Sequence, residues 1–208
     1  MIRNLILDWS GTLADDLGAV VAGTNRVLEH FGRRALSRQA FLASFRLPYT
    51  EFYREMLPDV GLADLQVAYL ALFPEDHPVP LLPHAEAFLR LAGGSGRRLF
   101  VCSSAPDAHV RAQAMANGVL ECFEALHCGV IDKVEHVHAL LERHGLAAAE
   151  TAFVGDMRHD IHAGRAAGLT TVATATGYEP VELLLTADPD ILVRDLSQLT
   201  RLLTPNHP

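Results

Sequence analysis

The positions of apolar and polar residues predict short strands and amphipathic helices along the chain. An apolar run over residues 3–8 ends at Asp8, which is typical of a buried strand. From Asp16 the apolar residues recur at helical spacing and stop at Gly32, which predicts a first helix. Three more helices are expected: one capped by Ser37 that runs through Phe45, one capped by Thr50 that ends before Pro58, and one from Leu62 to Phe73.

The segment "FPEDHPVPLLPH", at residues 73–84, is rich in proline and indicates a linker after this helical block. Residues 15–81 are therefore interpreted as an all-helical insert. The remaining residues, 1–14 and 82–208, are expected to form one core.

After the linker, apolar runs alternate with helical patterns. Strands are predicted at "RRLFVCSS", "FEALHC", "TAFVGD", "TTVATAT" and "DILVR". Helices are predicted over 106–117, over 133–144, near 159–167, and in two shorter segments that follow. Such alternation is typical of a parallel sheet covered by helices on both faces, with right-handed crossovers. The fold class is therefore α/β, with a doubly wound parallel sheet.

Composition narrows the classes of function. Half of the 208 residues are hydrophobic, which is typical of a globular protein with one full core. Acidic residues outnumber basic ones by 25 to 17, and the basic residues do not cluster, which argues against nucleic-acid binding. Nearly all basic residues are arginine, and Lys133 is the only lysine. A lone lysine in such a background calls for a specific explanation.

Cysteines and apolar segments bear on the compartment. The chain has three cysteines and no CxxC pair, a pattern that indicates a reduced, intracellular protein. We expect no signal peptide before the first strand, and no apolar run reaches the roughly 20 residues that span a membrane. We expect a cytoplasmic protein with no membrane partner, either a monomer or a weak homodimer.

Polar side chains follow three of the predicted strands. Asp8 ends the first strand, Ser103 and Ser104 end the second, and Asp156 ends another. In doubly wound sheets, ligands bind at the carboxyl ends of the strands, so these side chains are expected to meet. Each alone has a simpler interpretation, because an aspartate before Gly-Thr suits a turn and a serine before a helix suits a cap.

Taken together, these residue types suit phosphoryl transfer through a covalent intermediate. Asp8 is a candidate nucleophile, and Asp8, Asp156 and Asp160 offer the hard oxygen ligands that magnesium prefers. A cation is needed, because clustered carboxylates otherwise repel one another and repel phosphate. Ser103 and Lys133 are candidates to contact the phosphate oxygens.

Four ordered stretches carry a family resemblance: "DWSGTLADD", "LFVCSSAP", Lys133, and "FVGDMRHDIHAGRAAGLTTVATATGY". They resemble the motifs of the haloacid dehalogenase superfamily, and the match covers essentially the whole chain. The similarity is closest to the phosphoglycolate-phosphatase-like branch, whose members carry a helical cap just after the first motif. The resemblance thus implies a core of 1–14 and 82–208 with a cap at 15–81.

The resemblance also implies roles for individual residues. Asp8 would be the nucleophile and a metal ligand, while Ser103 and Lys133 would bind phosphate. Asp156 and Asp160 would form the acidic pair beside Mg²⁺. The implied function is a magnesium-dependent phosphatase that acts on a small phosphorylated metabolite through an aspartyl-phosphate intermediate.

Further roles are expected around the cap and the first motif. The backbone carbonyl of Ser10 would reach the metal, and the backbone N–H of Trp9 would meet phosphate while its ring lines the cap interface. Ser104 would stand beside the phosphate. Arg46, in "FRLPY", falls where related caps place a specificity loop, so it would clamp a substrate carboxylate or second phosphate; a surface arginine is the equally weighted alternative.

Ser10 departs from the family pattern, because related phosphatases carry their general acid/base aspartate there. Losing a positioned acid/base group typically costs about 10²–10⁴ in rate. We therefore expect aryl or acyl phosphates to be preferred over alkyl ones, and Ser10→Asp to raise alkyl-phosphate turnover. The alternative is a catalytically impaired relative that binds an anion or a protein partner in a regulatory role.

Overall fold

A six-stranded parallel sheet lies at the centre of the computed structural model, which describes residues 1–73 and 79–204. The strands stand in the order β3-β2-β1-β4-β5-β6, so the first strand is central. Their bounds are β1 Asn4–Leu7, β2 Arg98–Cys102, β3 Ala125–His127, β4 Thr151–Gly155, β5 Thr170–Thr174 and β6 Ile191–Val193. The predicted α/β class with a doubly wound sheet is confirmed.

Helices connect the strands and cover the sheet. In the described residues they are α1 Leu17–His30, α2 Arg38–Ser44, α3 Tyr49–Met56, α4 Leu62–Leu72, α5 Ala85–Gly94, α6 Asp107–Ala116, α7 Lys133–His144, α8 Arg158–Ala166, α9 Val181–Thr186 and α10 Leu196–Leu203. Short 3₁₀ turns cover 120–122 and 148–150. The helix predicted over 133–144 has the bounds that the sequence indicated.

The sheet divides the core into two layers because side chains alternate along each strand. Leu5 and Leu7 face one cluster, which includes residues of α5 and α10. Ile6, Phe100 and Phe153 face the other, which includes residues of α7 and α8. Both faces of the central strands are therefore buried, which explains why those strands are apolar without alternation.

The first four helices pack on a core of their own. Phe41 and Phe52 are fully buried there, and Met157 and Tyr178, which lie outside residues 15–81, pack into the same cluster. The backbone of Ala14 pairs with that of Leu81, so the two connections to the sheet run side by side. Residues 1–14 and 82–208 as one domain and 15–81 as another remain a prediction.

The helices of the structure differ in places from those that the sequence predicts. Helix α5 was not predicted, although Ala85, Phe88, Leu89 and Ala92 recur at helical spacing and are buried; the proline-rich segment before it and the glycines at its end obscured the pattern. Thr50 does not cap α3, which begins at Tyr49 after Pro48. Part of the predicted linker, residues 74–78, lies outside the described residues.

Other features agree with the sequence. Ser37 caps α2 by accepting a hydrogen bond from the Ala40 N–H at 3.1 Å. Within 1–73 and 79–204, none of the helices combines the length and the apolar character that a membrane crossing requires.

Helix α5 offers a test of this packing. Phe88 is fully buried between α5 and the sheet, so Phe88→Ala should lower the free energy of unfolding by about 3–5 kcal/mol. Leu91 on the same helix is 40% exposed, and Leu91→Ala should cost far less. Urea denaturation followed by circular dichroism measures both changes. Equal losses in the two variants would contradict the placement of α5.

Candidate active site

The carboxyl edge of the sheet brings Asp8, Ser103 and Asp156 together. β1 lies between β2 and β4, so the residues that follow these three strands share one edge. The backbone N–H of Asp8 donates to Val154 O at 2.9 Å, which continues the ladder up to the carboxylate. The sequence-based expectation that these strand ends converge agrees with the geometry.

Lys133 links two of the carboxylates. Its Nζ lies 2.7 Å from Asp8 Oδ1 and 2.6 Å from Asp160 Oδ1, and its side chain is fully buried. Lys133 is the first residue of α7, where Asp132 accepts a hydrogen bond from Val134 N. The ring of His159 accepts the N–H of Lys133 at 3.1 Å. The start of the helix is thus fixed from two sides.

Asp156 is held by residues from two other loops. Thr12 Oγ1 donates to its Oδ1 at 2.9 Å, and the Tyr178 N–H donates to its Oδ2 at 2.7 Å. Glycines make room for it: a Cβ on Gly177 would lie 1.9 Å from Asp156 Oδ2, and one on Gly11, whose φ is +72°, would lie 2.5 Å away. Any larger residue at these glycines would displace the carboxylate.

Burial dominates the electrostatics. It raises the pKa of Asp8 to about 6, against the opposing effect of Lys133. Burial, and then the charges of Asp8 and Asp160, raise the pKa of Asp156 well above its usual range. Burial opposes the charged form of Lys133, but the two carboxylates outweigh it and raise its pKa. Three acids around one lysine therefore leave an excess of negative charge.

The residues present fit a divalent cation. Carboxylate oxygens of Asp8, Asp156 and Asp160 lie within 4.8 Å of one another, and all three residues are buried. Magnesium prefers oxygen ligands, and a cation there would remove the repulsion that raises the pKa of Asp156. Asp160 also accepts hydrogen bonds from Lys133 and from the Met157 N–H, so it holds the lysine in place.

Two serines face the space above Asp8. Ser103 Oγ accepts the Ala105 N–H at 3.2 Å, so its own proton can be donated to a ligand. Ser104 Oγ is buried and has no hydrogen-bond partner among the described residues. A buried hydroxyl without a partner is costly, so a bound phosphate oxygen would satisfy it.

Ser10 contacts a carboxylate that the sequence analysis did not single out. Its Oγ donates to Asp16 Oδ2 at 2.5 Å, and the Tyr178 hydroxyl donates to Asp16 Oδ1 at 3.1 Å. Asp16 is buried, and burial raises its pKa to about 7. Ser10 borders the cavity above Asp8, whereas Asp16 stands behind it.

The side chains of Trp9 and Arg46, which were predicted to contact substrate, do not line the cavity. The ring of Trp9 is fully buried in the core, edge-on to Phe123, and its Nε1 donates to Gln113 at 2.7 Å, so it does not line a cap interface. The guanidinium of Arg46 pairs with Glu51 and Glu55 and lies outside the cavity lining. Its two carboxylate partners explain why it stays at the surface.

A cavity of about 270 Å³ lies above Asp8 and Lys133. Its walls come from α1, α3, α4 and the loops at the strand ends, and its lining is largely apolar and aromatic. No pattern in the sequence assigned these wall residues to the site, nor Thr12, Tyr178 and Asp16. Thr12 and Tyr178 lie inside the quoted motifs, but their contacts depend on how the loops fold, which no spacing indicates.

The sequence is similar to that of known hydrolases and phosphatases. The family described as haloacid dehalogenase-like hydrolase matches residues 5–174. A probable phosphatase, IndB, of Dickeya dadantii is 28% identical, with 94% of this chain and 90% of that protein covered. A phosphoglycolate phosphatase of Synechococcus elongatus is 27% identical, with 98% of both chains covered.

Solved structures share the fold. A predicted phosphoglycolate phosphatase from Haemophilus somnus superposes with a TM-score of 0.85 at 18% identity, over 98% of both chains. At this identity, the likeness concerns the arrangement of the backbone. The family match, by contrast, spans β1 to β5 and all the strand-end residues described above. The chain therefore belongs to the haloacid dehalogenase-like hydrolase family.

Proposed function

We propose that this protein is a magnesium-dependent phosphatase that hydrolyses a small phosphorylated metabolite through a phosphoaspartyl intermediate on Asp8. The observation that carries the proposal is the contact of Lys133 with both Asp8 and Asp160, beside Asp156 and at the floor of a cavity. The phosphatase names of the two relatives support the reaction class.

The reaction would proceed in two displacements at phosphorus. A carboxylate oxygen of Asp8 attacks phosphorus, the bond from phosphorus to the substrate oxygen breaks with its electron pair, and the departing oxyanion takes a proton from solvent. Water then attacks the phosphoaspartyl group, which releases inorganic phosphate and restores Asp8. Lys133 and Ser103, with Ser104, would hold the phosphate oxygens through charge and hydroxyl donors.

Asp8, Asp156 and the Ser10 carbonyl would hold Mg²⁺, with Asp160 completing the acidic set. The ion would supply positive charge that screens the repulsion between Asp8 and the phosphate. The hydrogen bonds from Thr12 and Tyr178 fix Asp156 for this task. Hydrogen bonds to a metal-binding carboxylate commonly orient it toward the metal in proteins.

Residues 15–81 would act as a cap. The cavity wall includes residues of α1, α3 and α4, so the helical segment covers the nucleophile from above. Two connecting segments join residues 15–81 to the sheet, and their backbones pair at Ala14 and Leu81. Such a cover would shield the bound substrate from bulk water during the first displacement.

One observation favours the alternative, a catalytically impaired relative with a regulatory role. Ser10 supplies no carboxylate to the leaving group, and its hydroxyl proton is committed to Asp16. The intact set of Asp8, Lys133 and Asp156 opposes this alternative, because a protein that only binds an anion has no need of a buried nucleophile. Turnover measurements separate the two.

The first prediction concerns the metal and the nucleophile. Hydrolysis of p-nitrophenyl phosphate should require Mg²⁺, since three buried carboxylates repel the phosphate without it. Asp8→Asn should reduce turnover below detection, while Asp15→Asn, at the exposed neighbouring aspartate, should leave it unchanged. Undiminished rates in excess chelator, or in Asp8→Asn, would refute the mechanism.

The second prediction concerns the glycine beside Asp156. Gly177→Ala puts a methyl group where Asp156 Oδ2 lies, so the carboxylate must move and Mg²⁺ affinity should fall by about 10–100-fold. Gly18→Ala is the control, because nothing lies within 4 Å of a Cβ there. Calorimetric titration with Mg²⁺ measures the affinity, and circular dichroism checks the fold. Unchanged affinity in a folded Gly177→Ala would remove Asp156 from the metal site.

The third prediction revises the expectation for Ser10. Ser10→Asp alone would put two carboxylates in contact, because Ser10 Oγ already lies 2.5 Å from Asp16. The exchange Ser10→Asp with Asp16→Ser restores a carboxylate at the cavity and keeps the hydrogen bond. Its turnover of an alkyl phosphate such as glycerol 3-phosphate should rise by about 10²-fold, with a smaller rise for an aryl phosphate.

Asp16→Ser alone is the matched control and should show no such gain. If the double variant folds, binds Mg²⁺ and hydrolyses the alkyl phosphate no faster than the unmodified chain, the carboxylate missing at position 10 is not what limits turnover.

A further inference from the structure

The upper wall of the cavity is aromatic. Phe45, Tyr49, Tyr53, Tyr69 and Tyr178 line it, and this set is termed the aromatic wall. Leucine and valine side chains fill the spaces between these rings. A substrate held here meets mostly aromatic and aliphatic side chains, while Asp8 and Lys133 lie at the floor.

The lining carries almost no charge. Among the lining residues that the structure describes, only Asp8 and Lys133 are charged, and both belong to the floor. Arg46, the cation nearest in sequence to the wall, is paired with Glu51 and Glu55 and does not enter the cavity. A carboxylate or a second phosphate on the substrate would therefore face this lining without a second cation to pair with, which is unfavourable.

Three of the four tyrosine hydroxyls in the aromatic wall already have hydrogen-bond partners. The Tyr53 hydroxyl donates to Thr24 Oγ1 at 3.2 Å, and Gln66 Nε2 donates to the Tyr49 hydroxyl at 2.8 Å. The hydroxyl of Tyr178 donates to Asp16. These contacts leave fewer hydrogen-bonding groups in the wall for a sugar or a polyol.

We infer that the substrate is an aryl phosphate monoester, with an uncharged aromatic ring seated against the aromatic wall and the phosphate on Asp8. The inference rests on the proposed phosphatase function and narrows its substrate class. Aromatic rings pack edge-on or offset against one another, and such contacts add binding energy to that gained from burying apolar surface. The cavity, at about 270 Å³, accommodates one or two fused rings.

The leaving-group chemistry agrees through a separate observation. When Asp8 attacks, the bond from phosphorus to the aryl oxygen breaks with its electron pair, and the departing phenoxide takes a proton from solvent. A phenoxide is a stable leaving group that needs no acid to protonate it as it departs. Ser10, whose proton is directed at Asp16, is therefore sufficient for an aryl ester but not for an alkyl one.

Matched probes separate ring, charge and leaving group. With Mg²⁺ present, 1-naphthyl phosphate should have a KM about tenfold lower than phenyl phosphate, since the second ring buries more apolar area at similar leaving-group acidity. 4-Carboxyphenyl phosphate and phosphoglycolate should each have kcat/KM at least about tenfold below phenyl phosphate. Equal or better use of either charged ester would overturn the inference.

A pair of variants on α4 tests the missing cation. Leu70 lines the cavity and is half exposed, so Leu70→Arg adds a positive charge to the wall and should lower the KM for 4-carboxyphenyl phosphate about tenfold. Leu62 lies on the same helix but outside the lining, so the control variant Leu62→Arg should leave the KM for 4-carboxyphenyl phosphate unchanged. An unchanged KM in a folded Leu70→Arg would count against the uncharged wall as the cause of selectivity.

Binding to Asp8→Asn keeps the inference separate from turnover. Calorimetric titration of this variant with 1-naphthyl phosphate and with phosphoglycolate, both in Mg²⁺, compares the ligands without hydrolysis. Affinity at least about tenfold higher for the naphthyl ester supports the inference, and equal affinity overturns it. Absence of hydrolysis of every ester by the unmodified chain would instead refute the proposed function alone.

Discussion

The buried contact of Lys133 with Asp8 and Asp160 is the interaction on which the rest of the site depends. A lysine with no exposed surface is tolerated only when its charge is paired, because desolvating an unpaired ammonium costs several kcal/mol. The two contacts tie the end of β1 to the starts of α7 and α8. The same contact fixes the proposed nucleophile Asp8 and the proposed phosphate-binding charge of Lys133, so folding and the proposed chemistry share one constraint.

The remaining carboxylate sets a second constraint. Asp156 adds negative charge that Lys133 does not balance, and its pKa is raised by burial and by its acidic neighbours. The loops that hold it have no room for side chains at Gly11 and Gly177. Burying a carboxylate whose charge is not balanced costs free energy, and a bound cation would balance that charge. This cost is the physical argument for a metal at this position.

Much of this arrangement was predictable because it follows from periodicity and from strand ends. The order of strands and helices, the bounds of α7, and the convergence of Asp8 with Asp156 all depend on patterns within short stretches of sequence. The contact of Ser10 with Asp16 was not predictable, because it depends on a turn in which the N–H groups of Leu13 and Ala14 both bond to Trp9 O. The aromatic wall was missed for a similar reason, since its residues come from separate helices whose relative placement no spacing gives.

The turn after Asp8 and the aromatic wall bear on the same question from different sides. Because the turn places Asp16 behind Ser10, the Asp16 carboxylate does not line the cavity, and it already accepts hydrogen bonds from Ser10 and Tyr178. Tyr178 belongs to the aromatic wall as well, so one side chain both holds that acid back and shapes the cavity. A site built in this way selects for leaving groups that need no proton and that prefer an apolar surface, and phenols meet both conditions.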